Sequence, residues 1–134
     1  MVIKIPLMCR SKKNSQSIIV NPRTHKPMII QSKLYKEFEQ ECGYYLLKYK
    51  KNISVPINLK CTFYVKDKRK RDIVNLLNAI QDILVEYGVI ADDNYNIVKS
   101  VDGSRIIYEK GREETIIEIE REEDVNENRR LLWF

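Results

Sequence analysis
Residues 72–93, DIVNLLNAIQDILVEYGVIADD, constrain this chain more than any other stretch. Apolar side chains recur at Ile73, Leu76, Leu77, Ile80, Ile83, Leu84 and Tyr87, the spacing that gathers them on one face of an α-helix. At about 100° per residue they fill an arc of roughly 120°, a normal core-facing stripe. Asp72 stands where an N-cap belongs, and Gly88 where a helix turns into its left-handed terminator.

The opposite arc of the same helix is polar. Asn75, Asn78, Asp82 and Glu86 share it, with Asp72 at its N-terminal lip. Val74 falls inside this arc, roughly 100° from Asn75, where a core helix has no use for a valine. Beyond the glycine, Val89, Ile90 and Ala91 lead into Asp92 and Asp93. One acid therefore opens the helix, and two more follow its end.

A chain of 134 residues, 43% hydrophobic and 32% charged, is expected to fold as one soluble domain around a single core. No apolar run reaches the ~20 residues of a membrane helix, and the N-terminus lacks a signal-peptide pattern. Cys9, Cys42 and Cys61 are odd in number and widely spaced, which fits neither a disulfide framework nor a zinc knuckle. They read as buried thiols of a cytoplasmic protein.

The net charge of +5 conceals a division. Residues 1–71 hold 17 Lys/Arg against 4 Asp/Glu, whereas residues 72–134 hold 7 against 15. A basic first half suits a polyanion, although a generic lysine-rich surface has the same composition. Acids beside it would repel DNA phosphates unless divalent cations came between them.

Taken in order, residues 2–8 read as a strand that Pro6 places at a sheet edge, and residues 10–15 as a basic loop. Residues 17–20 and 28–30 read as a hairpin across an Asn21-Pro22 turn. His25, the only histidine, lies in that turn with no acid or nucleophile near it in sequence, as an ordinary surface residue. Ser32 is placed to cap a helix running to about Lys51, with Gly43 permitting a close approach. Val55–Val65 alternates as a strand and ends in the run Lys66-Asp67-Lys68-Arg69-Lys70-Arg71. That run reads either as a solvated loop or as phosphate anchors. Residues 95–108 are strand-like with a turn at Asp102-Gly103, and 115–120 alternate as a last strand. The expectation is an α+β single domain, a mixed sheet packed with two main helices, over residues 1–120. Residues 121–134 form a charged tail whose apolar end, Leu131–Phe134, calls for docking on the body or on a second subunit.

The order of strand, basic loop, Arg71-Asp72-Ile73-Val74-Asn75, amphipathic helix with Asp82, and Gly88-Val89-Ile90-Ala91-Asp92-Asp93 resembles the RusA family of Holliday junction resolvases. Ser11-Lys12-Lys13-Asn14 is similar to the basic loop that phage-borne members carry after their first strand. The resemblance spans roughly residues 3–120. It implies a small α+β homodimer that uses Mg²⁺, with Mn²⁺ as a substitute, to nick paired strands of branched, four-way junction DNA. By the resemblance, Asp72 and Asp93 are catalytic and hold the metal with Asp92, while Asn75 and Asp82 support them. Lys12, Lys13, Asn14, Arg69, Lys70 and Arg71 would contact DNA. The family's second motif aspartate falls on Val74, and a lysine that members often carry one turn later falls on Asn78.

These residues suit metal-assisted hydrolysis, in which the ion polarises the scissile phosphate and lowers the pKa of an attacking water. With Val74 in place of a carboxylate, the competing expectation is a junction-binding protein with weak or no cleavage. A protein unrelated to DNA would leave the Asp-Asn and Asp-Asp spacing without a reason.

Overall fold
The computed structural model describes residues 1–12 and 16–122; Lys13, Asn14 and residues 123–134, with the apolar chain end, lie outside them. Along the chain run β1 (Val2–Ile5), β2 (Gln16–Val20), β3 (Pro27–Gln31), α1 (Lys33–Leu46), β4 (Ile57–Val65), α2 (Ile73–Glu86), β5 (Val98–Ser100), β6 (Arg105–Tyr108) and β7 (Glu114–Arg121). The architecture is α+β, as the patterning indicated.

The alternation of residues 57–65 becomes the centre of the main sheet. β4 pairs antiparallel with β7, which pairs antiparallel with β1. On its other side β4 pairs in parallel with β5 and then with β6. A parallel neighbour needs a crossover, and α2 supplies it. Ile57, Leu59, Cys61 and Phe63 of β4 enter the core with Ile3, Ile5, Ile117 and Ile119. Asn58 and Thr62, on the other face of the alternation, are buried as well. Asn58 is satisfied there: its amide donates to the Asp102 carbonyl (3.2 Å), and its Oδ1 accepts from Ser100 Oγ (2.6 Å) and Asp102 N–H (2.8 Å). These bonds hold the 101–104 turn against β4 and explain why the strand-like stretch 95–108 splits into β5 and β6.

Element ends differ from the sequence reading for local reasons. β1 stops at Ile5 because Pro6 has no N–H for a ladder. Ser32 caps α1 as expected, its hydroxyl accepting from Tyr35 N–H at 3.2 Å. α1 ends at Leu46, and Leu47–Tyr49 tighten into a 3₁₀ turn instead of continuing to Lys51. β2 and β3 form the expected hairpin as a separate two-stranded ribbon. His25 stands exposed in its turn.

Gly43 of α1 lies directly under the Tyr87 ring, and a methyl there would overlap the ring carbons Cε1 and Cζ. Gly43→Ala gains about 1 kcal/mol of helix propensity but overpacks a contact at a typical 1–3 kcal/mol. We expect a net loss of about 1–2 kcal/mol in urea denaturation; an equal or higher midpoint would mean that Tyr87 simply moves aside.

All three cysteines are buried. Cys9 Sγ–H points at the Leu76 carbonyl, 3.8 Å away. Burial is the main reason that the Cys42 and Cys61 thiols are pushed up to about 12 and Cys9 well above the usual thiol range. Thiolate is the reactive form, so a thiol reagent at pH 8 should label none of the three until the chain opens. Labelling of the native protein at the rate of a free thiol would contradict this burial.

Candidate active site
α2 follows β4 through the basic loop, and Asp72 closes the helix N-terminus. Its Oδ1 accepts from Val74 N–H at 2.9 Å, and its carbonyl from Leu76 N–H at 3.2 Å. The loop is shaped from within by Asp67. The Asp67 carboxylate accepts from Arg69 N–H (3.0 Å) and the Arg71 guanidinium (2.8 Å), and these bonds hold it below the usual carboxylate range. Arg71 also donates to the carbonyls of Asp67 and Arg69 and is 13% exposed, so its charge is turned into the loop. Arg69 and Lys70 face solvent.

Residues of the Cys9–Lys12 stretch line two hollows, Cys9, Arg10 and Ser11 the first and Lys12 the second. The first, of about 230 Å³, is lined by Arg10, Ser11, Arg69, Lys70, Arg71 and Asp72 among others. The second, of about 280 Å³, is lined by Lys12, Tyr35, Glu39, Asp82, Glu86 and Asp93. Lys12 Nζ meets Asp82 Oδ2 at 3.0 Å. Both ends of that pair are more than a third exposed or close to it, so the pair adds no more than about 1 kcal/mol. Its interest lies in position, a single cation among four carboxylates.

The two adjacent aspartates are electrically unequal. Asp92 accepts from the Asp93 N–H at 2.7 Å and from Asn94 Nδ2 at 3.0 Å, and these bonds hold its carboxyl below the usual range. Asp93 moves the other way, raised first by desolvation and then by its hydrogen bond to Asp92 and the charges of Asp92 and Asp82. Tyr35 forms part of the cleft with a fully buried side chain whose hydroxyl has no hydrogen-bond partner among the described residues. Burial, followed by the charges of Glu39 and Asp82, pushes that phenol above its ordinary range.

A basic hollow and an acidic cleft, arranged along one helix that ends in Gly88 and an Asp-Asp pair, are the geometry against which the family comparison stands. The family model described as Endodeoxyribonuclease RusA matches residues 10–120, most of the chain. The chain belongs to the RusA endodeoxyribonuclease family. Comparison with curated proteins gave no match. RusA endonucleases act on branched DNA junctions and are generally dependent on a divalent metal. Among the described residues no helix of this RusA-family chain is long and apolar enough to cross a membrane.

A divalent ion needs several oxygen ligands converging on one point. Among the described residues no group of three or more His, Cys, Asp or Glu is disposed to hold one. Asp82 and Asp93 share the acidic cleft, while Asp72 lines the basic hollow. Asp82 follows Asp72 by ten positions, a rise of about 15 Å along α2. Asp72 and Asp93 thus line different hollows, and the carboxylates of one chain form no ready-made ion cage among the described residues. Val74, where the family has a second aspartate, is 58% exposed at the second position of α2, next to Asn75 and out of the core.

The structure thus groups the sequence candidates in two sets: Arg69, Lys70, Arg71 and Asp72 on one side, Lys12, Asp82 and Asp93 on the other. Asp92 is exposed beside the second set, and Asn75 is half-buried on α2. Sequence reasoning missed Tyr35 and Glu39 as cleft residues because they come from α1. Their spacing of four residues places both on one helix face, but only packing brings that face to Asp82. Glu86 shares the polar arc of Asp82 and was legible there. Ser11 and Arg10 looked like ordinary loop residues.

Proposed function
We propose that this chain is a Mg²⁺-dependent endonuclease of DNA recombination and repair that nicks four-way junctions in the cytoplasm as a homodimer, with Mn²⁺ able to replace Mg²⁺. The observation that carries the reading is the basic hollow and the acidic cleft, both lined by residues of the 10–12 stretch, in a RusA-family chain. Arg69, Lys70 and Lys12, with Lys13 and Asn14 of the same loop, steer the phosphate backbone toward the helix. Arg71 supports them from inside the loop. Asp72 and Asp93 are the catalytic carboxylates, with Asp92 beside the ion and Asn75 and Asp82 orienting the polar face of α2.

In one chain Asp72 and Asp93 line different hollows. The reading therefore takes Asp72 from one copy and Asp93 from a two-fold partner, which suits a junction whose strands are themselves related by a two-fold axis. Recognition rests on backbone and junction shape more than on base contacts.

The test is a labelled four-way junction incubated with the protein in Mg²⁺ and, separately, in EDTA, beside a linear duplex of the same sequence. Paired nicks in the junction alone, absent in EDTA, are the expected result. Val74 favours a second reading, junction binding with little cleavage, and a junction bound but left intact would support it. Neither binding nor nicking would overturn both.

A further inference from the structure
The basic hollow at the start of α2 contains a group that no described residue satisfies. Ser11, one of its lining residues, is 8% exposed, and its hydroxyl has no hydrogen-bond partner among the described residues. Buried hydroxyls are nearly always hydrogen-bonded, and an exception calls for an explanation such as a missing ligand. The surroundings say what kind. Arg10, Arg69 and Lys70 bring three cationic side chains to the hollow, all exposed and with no ion pair among the described residues. The fourteen-residue helix α2 begins there, and the first-turn N–H groups of a helix lie outside its own ladder. Only the Val74 N–H is met by Asp72. A water molecule would satisfy the hydroxyl but leave the positive field unanswered. An oxyanion answers both.

We propose that Ser11 and Arg10, with Arg69, Lys70 and the N-terminus of α2, form a binding site for one phosphate oxyanion, supplied by the DNA backbone. The choice of DNA as its source rests on the endonuclease reading above. Ser11 donates its hydroxyl to a phosphate oxygen, and the three cations neutralise the charge. Arg71 takes part indirectly, because its guanidinium is bound to Asp67 and the loop carbonyls and fixes the loop that presents Arg69 and Lys70. The negative charge of Asp72 on the rim is moderated by the helix end that its Oδ1 caps. The site makes Ser11 a reader of phosphate position that lysine-rich surfaces lack. Lysine charges attract a strand from many directions, whereas one buried hydroxyl fixes a single oxygen.

The experiment measures binding of a labelled four-way junction in EDTA, so that no cleavage is needed, between about 50 and 200 mM salt. Ser11→Ala should weaken binding about tenfold at every salt concentration, with the salt slope unchanged, because the hydroxyl releases no counterion. Arg10→Gln should weaken binding and lower the slope by about 1. Ser11→Ala deletes an unsatisfied hydroxyl, so its thermal midpoint should match or exceed that of the natural chain. A lower midpoint would show that the hydroxyl is satisfied internally and would overturn the proposal. So would junction binding by Ser11→Ala equal to that of the natural chain.

A second arm titrates inorganic phosphate and follows the backbone amide resonances of Ser11 and Ile73. Saturable shifts in the natural chain that vanish in Ser11→Ala support the site. If phosphate saturates but the junction does not bind, the oxyanion site stands and the endonuclease reading fails. If the junction binds but neither variant nor phosphate has an effect, the endonuclease reading stands and this site is rejected.

Discussion

Placing an aspartate at position 74 is expected to raise metal-dependent nicking of a four-way junction by on the order of tenfold or more, since each carboxylate at a divalent site adds charge stabilisation worth a few kcal/mol. Val74 is 58% exposed, sits in the first turn of α2 and has no place in the core, so the change disturbs no packing. A carboxylate there also agrees with the positive end of the helix, and stability should change by no more than about 0.5 kcal/mol. The paired variant is Asp72→Asn. Asparagine caps a helix as well as aspartate does, so the Val74 N–H keeps its acceptor while the charge is lost. Nicking by that variant should fall on the order of 100-fold with an unchanged thermal midpoint. Nicking that survives Asp72→Asn would remove Asp72 from the chemistry. An unchanged rate in Val74→Asp would mean that the valine is no handicap and the weak-cleavage reading has lost its basis.

Mixing two inactive variants should restore activity. Asp72→Asn and Asp93→Asn alone are each expected to lose about 100-fold of the nicking rate, as either change removes a carboxylate from every site. Mixed at equal amounts by unfolding and refolding together, they give roughly half mixed dimers by random pairing of a two-fold assembly. If each site draws Asp72 from one copy and Asp93 from the other, one of the two sites in a mixed dimer is intact. Single-strand nicking should then recover to about a quarter of the natural rate, while paired nicking stays low. The physical basis is that Asp72 and Asp93 line different hollows of one chain. A mixture as inactive as its components would show that the two aspartates never act across copies.

The local pattern determined much of this protein. The period of Ile73 to Leu84, the cap at Asp72 and the stop at Gly88, whose φ is +71°, specify α2 nearly residue by residue. Alternation specified β4 and β7, and the Asn-Pro turn specified the hairpin, because each depends on neighbours within a few residues. The candidate acids were legible for the same reason. They interrupt an otherwise regular polar face or follow a helix stop.

Only the tertiary structure decided which of those groups meet. It buried Asn58 and Thr62 on the second face of β4, where Asn58 is held by Ser100 and Asp102 of the 100–104 segment. It turned Arg71 inward onto Asp67, set Lys12 on Asp82, and carried Tyr35 and Glu39 of α1 to the cleft. It also set Asp72 and Asp93 in different hollows, although both belong to one short stretch of sequence. The reason is that periodicity reports the face of a single element, whereas meeting across elements depends on how those faces pack and how long the helix between two residues is.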